Sequence, residues 1–151
     1  MKTSLIVNIL VFVVALSALG QENLEATMEK RAREMHRVIK LNDPAEWKKF
    51  IQENYSKALI EKPMRATVET SDQGATTAAS TSGSNLETKV QMFEQLHGDF
   101  GQSEILSIKP QGQFLEMVLS DAGSGLRGTF NLRFDKTSPY LISGIGIDVG
   151  N

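Results

Sequence analysis

The hydrophobic period of this chain changes once, near residue 100, and that change limits the fold more than any other feature. Before it, apolar residues recur at helical spacing. Leu24, Met28, Ala32, Met35 and Val38/Ile39 form one stripe between Glu22 and Leu41, and Glu25, Glu29, Lys30, Arg31, Arg33 and Glu34 occupy the other faces. After it, side chains alternate. Leu126, Gly128, Phe130, Leu132 and Phe134 are interleaved with Arg127, Thr129, Asn131 and Arg133, the pattern of a strand with one buried and one polar face. Helices followed by consecutive strands predict an α+β layer architecture, with three helices on one face of a curved, mainly antiparallel four-stranded sheet.

Two further helices complete the first half. At Asn42-Asp43-Pro44, Asp43 can cap a new helix while Pro44 occupies its first turn, where a missing N–H costs nothing. AEWKKFIQENYSKALIEK then reads as one helix ended by Pro63, with Trp47, Phe50/Ile51, Asn54/Tyr55 and Ala58/Leu59 along its stripe. A short strand is expected over 64–69. Residues 70–85, TSDQGATTAASTSGSN, hold no large apolar side chain to offset the entropy of ordering, and read as a flexible surface loop within one domain. The third helix has Asn85 as its expected cap, Leu86, Val90, Phe93 and Leu96/His97 on its inner stripe, and Gly98 as its left-handed stop. His36 is expected on an exposed helix face and His97 at the margin of the core.

Four strands follow, Ser103–Lys109, Gln113–Leu119, Leu126–Phe134 and Tyr140–Val149, joined by Pro110-Gln111-Gly112, Ser120–Gly125 and Asp135–Pro139. Connections this short imply an antiparallel meander. In the last strand Leu141, Ser143, Ile145, Ile147 and Val149 are expected on one side, with Gly144 and Gly146 on the other. Gly144, Gly146 and Gly150 do not form a dinucleotide fingerprint, because the third glycine falls one place too far along and no helix N-terminus follows to receive a phosphate. The glycines instead thin one strand face, so that another backbone or a bulky side chain can approach it.

Residues 1–20 read as a cleaved export signal: Lys2 gives the positive start, Leu5–Leu16 the apolar stretch, and Ala18-x-Gly20 the small-residue cleavage pattern. The apolar run is shorter than the roughly 20 residues of a membrane span. A mature domain is expected over 21–151, secreted or periplasmic. The chain has no cysteine, which removes disulfides, thiolate metal sites and a thiol nucleophile, and suits a bacterial exported space. Sixteen Lys+Arg against eighteen Asp+Glu leave a net charge of −2, with no basic stripe to follow phosphates, so nucleic-acid binding is not expected.

The motifs of common catalytic sites are missing. There is no G-x-S-x-G elbow, no S-x-x-K pair and no H-x-x-x-H, and Gly123-Ser124-Gly125 reads as a turn. No cofactor, metal or catalytic residue is expected. An isolated carboxylate can still do acid–base work, and Asp99 and Glu116 are the residues to ask about. The polar sheet face is a candidate interaction face, formed by Glu116, Arg127, Asn131 and Arg133. A candidate pocket between helices and sheet would be lined by Trp47, Phe93, His97, Leu115 and Phe130.

DPAEWKKFIQENYSKALIEKP, VQMFEQLHGDFG and PYLISGIGID, in that order, resemble an NTF2-like module. Such modules, of the cystatin-like cone type, occur as accessory domains beside exported bacterial serine hydrolases of the β-lactamase/penicillin-binding type and beside tail-specific-type peptidases. The resemblance rests on Trp47-x-x-Phe50, on Leu96–Gly101 and on Pro139–Ile147, and spans about 85 residues. It implies a non-catalytic exported domain that binds a partner protein, such as an exported hydrolase, or a small apolar ligand, or that forms a homodimer. The alternative it leaves open is a small NTF2-like enzyme (isomerase, cyclase or hydrolase) with a carboxylate or histidine in its cone.

Overall fold

A computed structural model describes residues 23–63, 66–68, 76–78 and 84–150. The export signal expected over 1–20 lies outside them. The first helix, α1 (Leu24–Lys40), starts where the Asn23 side chain accepts the Glu25 N–H at 3.1 Å. Its buried stripe is the expected one from Met28 to Ile39 with His36 added, while Leu24 at its start is half-buried. The second, α2 (Pro44–Asn54), begins as Asp43 and Pro44 dictate, with an Asp43 carboxylate oxygen taking the N–H groups of Ala45 and Glu46.

The expected single helix over 45–62 is two. α2 stops at Asn54, Tyr55 turns to extended backbone, and Ser56 caps a short α3 (Lys57–Glu61) by accepting the Leu59 N–H. The break has a specific cause. The Ser56 N–H donates to the Ile142 carbonyl at 2.8 Å, and Tyr55 bridges Ile142 in parallel sense, so the last strand competes for this backbone and wins it. The domain therefore has four helices among its described residues rather than three.

The short strand expected over 64–69 is present, and part of the expected loop over 70–85 is also ordered as strand. β1 (Ala66–Val68) and β2 (Thr76–Ala78) form a separate antiparallel pair, Ala66 opposite Ala78. The rest of the 70–83 stretch lies outside the described residues. The fourth helix, α4 (Asn85–Phe100), is capped by Ser84 rather than Asn85. Ser84 and Glu87 form a reciprocal capping box, and Asn85 reaches back to the Glu61 carbonyl. Nor does α4 stop at Gly98. It continues to Phe100 and is closed by Gly101. A mid-helix glycine costs about 1 kcal/mol, whereas burying the Phe100 ring completely returns roughly 2 kcal/mol or more.

The sheet is an antiparallel meander, β3 (Glu104–Gln111), β4 (Phe114–Ser120), β5 (Arg127–Phe134) and β6 (Ile142–Gly150), in that spatial order. Pro110 lies within β3, not in the turn, which shrinks to Gly112-Gln113 with Gly112 at φ 61°. Proline is admissible there because β3 is an edge strand. Two bulges shape the edges, one between Ile105 and Ser107 and one opposite Arg133/Phe134. The second changes the parity of β6. Phe134 faces Ile142 and Arg133 faces Gly144, so Ile142 is the fully buried residue, while Leu141 and Ser143 leave the row that Ile145 and Ile147 continue.

The helices cover one face of this sheet. Met28, Met35 and Ile39 of α1, Trp47 and Ile51 of α2, and Phe93 and Phe100 of α4 are buried against Leu115, Met117, Phe130 and Leu132. Residues of two short sequence motifs, around Trp47 and around His97, tie the helices of this core together. Trp47 donates its indole N–H to both Val38 and Leu41 carbonyls, at 2.8 and 2.9 Å, closing the end of α1. His97 donates from Nδ1 to the Ile39 carbonyl at 2.9 Å, and its ring lies 6.0 Å from Trp47. Gly101 is where a Cβ would come within 2.5 Å of the His97 carbonyl oxygen.

Candidate functional site

The sheet register decides which polar residues meet. Glu116 lies opposite Lys109 on one side and Asn131 on the other; Phe114 lies between Gln111 and Arg133; Ser120 lies opposite Arg127. Residues two apart share a face, so Glu116, Arg127, Asn131 and Arg133 stand together on the face away from the helices. Around Lys109, Gln111, Phe114, Glu116 and Asn131 this face holds a shallow depression of about 250 Å³. Phe114 is 57% exposed at its margin, a large apolar side chain set among charges.

The charges on this face pair differently from a Glu–Arg network. Glu116 takes Lys109 at 3.7 Å, and Asn131 donates to Asp148 at 3.2 Å. Arg133 reaches across β6 to the Ser143 carbonyl, and its side chain lies over Gly144, whose missing Cβ would touch it at 3.4 Å. The thinned strand thus receives an arginine. Exposed pairs of this kind contribute well under about 1 kcal/mol each, so they orient the face more than they hold it.

The candidate pocket residues sit on the opposite side of the sheet. Trp47, Phe93, Leu115 and Phe130 are buried members of one packed cluster, with His97 at its rim. Their neighbours include Phe50, 5.7 Å from Phe93, and Phe100, 5.5 Å from Phe130. Asp99 is exposed on α4 and Glu116 belongs to the outer face, so neither carboxylate points into this cluster. Among the described residues no three His, Asp or Glu side chains converge as metal ligands. No described helix is long and apolar enough to cross a membrane.

Three buried polar groups escape a sequence reading. His36, expected on an exposed face, is 8% exposed, and its Nε2–H donates to the Ser103 carbonyl at 3.0 Å. Burial holds its pKa below the usual 6.5, against the opposing pull of that hydrogen bond. Lys89 is buried on α4 and gives its ammonium to the carbonyls of Ile60, Lys62 and Asn85, closing the end of α3; burial lowers its pKa. The Tyr55 hydroxyl is buried without a hydrogen-bond partner, and burial raises its pKa. Only the spacing of His36 within the stripe Ala32, Met35, Ile39 carried a signal, since i+4 from Ala32 is inward.

These features define an α+β domain whose helices pack on one face of the sheet and whose other face is charged and carries an exposed phenylalanine. Compared with protein-family models, with curated proteins and with solved structures, the chain matches none.

Proposed function

We propose that this chain is a non-catalytic, exported domain of the NTF2-like kind that docks a partner protein on the outer face of its sheet. The observation that carries the reading is Phe114, exposed beside the Lys109–Glu116 pair and across from Arg133. An aromatic anchor flanked by arginine is the composition of a protein interface core, where rim charges set orientation and encounter rate. The export signal and the order of the three motifs favour an exported hydrolase as that partner. The test is capture of the partner hydrolase by immobilised protein. Phe114→Ala is expected to weaken capture at least about tenfold, as for an interface hot spot, and Arg127→Glu with Arg133→Glu to abolish it at low salt. Unchanged capture by both variants would sink the docking face.

A further inference from the structure

The two edges of the sheet are built differently. β3 is guarded: a bulge at Ile105/Ser107 interrupts its ladder, Pro110 withholds an N–H, and Lys109 places a charge beside it. Among the described residues, β6 is covered at its start, where Tyr55 and Ser56 engage Ile142 and α3 packs beside it. From Gly144 to Gly150 it contains no proline, lysine, arginine or bulge. On the side away from β5, this stretch has no strand partner among the described residues. An edge of this length with unpaired N–H and C=O groups is a template for another strand.

We infer that β6 pairs antiparallel with β6 of a second copy of this chain, about a two-fold axis at Ile147, joining two sheets into one. The register selects both the occupant and the axis. With Ile147 opposite itself, Ile145 meets Val149 of the other copy on the helix side, so half-buried and exposed apolar residues cover one another; Val149 is 54% exposed in the single chain. On the outer side Gly144 meets Gly150, and Asp148, the only ionised side chain of the strand, meets Gly146. No like charges oppose. An axis at Asp148 would set two carboxylates against each other. An axis at Gly146 or Ile145 would draw Ile142 into the new ladder, although its carbonyl is already held by the Ser56 N–H. The axis at Ile147 uses the span Gly144–Gly150 and leaves the Tyr55–Ser56 cover in place. This pairing is independent of what the outer face binds.

Sedimentation equilibrium of the purified protein between about 1 and 100 µM tests it, with thermal melting of each variant as the folding control. The wild type is expected to dimerise. Gly146→Asp creates two like-charged pairs across the seam and should raise the dissociation constant about tenfold, whereas Gly146→Lys creates two opposite-charged pairs and should lower it. A side chain at 146 is sterically accepted, since its Cβ would lie 3.8 Å from that of Asn131. Val149→Lys, on the opposite face of the same strand, should also weaken the dimer by placing a charge in the apolar row. A monomer across the whole range overturns the inference. So does a dimer that responds alike to the aspartate and the lysine at 146, or one that ignores Val149→Lys.

Discussion

Gly128 lies directly under the Phe100 ring of α4, and replacing it with alanine tests the packing between this helix and the sheet. A Cβ at 128 would lie 2.5 Å from Phe100 Cζ, 2.9 Å from its Cε1 and 3.1 Å from Phe130 Cε2. Relaxed carbon contacts are about 3.5–4.0 Å, so the closest approach is short by roughly 1 Å. The Phe100 ring cannot swing aside cheaply, because it is fully buried and packs edge-on against Phe130, 75° between planes. Overpacking of this severity costs about 2–3 kcal/mol, near the top of its usual range. For a domain of this size that corresponds to a Tm lower by roughly 8–12 °C. Trp47, the only tryptophan, is buried beside His97 and reports the transition by fluorescence. Shortening the opposing ring should relieve the clash. Phe100→Leu alone leaves a cavity and destabilises, but Gly128→Ala with Phe100→Leu should be more stable than the two single losses add to, by about 1 kcal/mol or more. Gly128→Ala melting within about 1 °C of wild type, or strict additivity in the double variant, would refute the reasoning.

Two further outcomes follow from buried polar groups. Burial holds the His36 pKa below 6.5 in the folded chain, so as pH falls past 6.5 the unfolded chain takes up protons more readily than the folded one; stability should fall on acidification from 6.5 toward the lower folded-state pKa. His36→Gln keeps an N–H for the Ser103 carbonyl and should flatten that slope in urea titrations at pH 5 to 7, about one unit either side of 6. Trp47→Phe leaves the Val38 and Leu41 carbonyls without the indole N–H and should cost about 2 kcal/mol, read as a lower urea midpoint at unchanged m-value by circular dichroism.

The sequence showed the layers but not the joints between them. The stripe of α1 and the alternation of β5 are periodic and local, so they were legible, as was the Asp43-Pro44 start of α2. The break at Tyr55 was not, because its cause is the Ile142 carbonyl from the other end of the chain. Likewise the continuation of α4 past Gly98 depends on a core site for Phe100, which no window around Gly98 contains. The parity of β6 turned on one bulge. Of the candidate site, the shared face of Glu116, Arg127, Asn131 and Arg133 followed from alternation alone. The same alternation puts Phe114 on that face, two residues before Glu116, but its 57% exposure beside the charges did not follow from it.

The hydrogen bond from Ser56 to Ile142 also sets a timetable. The four described helices precede the four strands of the main sheet in the chain. At on the order of ten residues per second, the stripe of Met28, Met35 and Ile39 is synthesised several seconds before β4 and β5 exist to cover it. The segment at Tyr55 waits for a distant partner, the first residue of the last strand. Until Ile142 emerges, the Ser56 cap is the local signal for the break over 54–57, and the hydrogen bond that holds Tyr55 extended has no acceptor yet. The last strand therefore fixes the joint between two helices made long before it: a chain truncated before Ile142 lacks the carbonyl that holds the break at Tyr55.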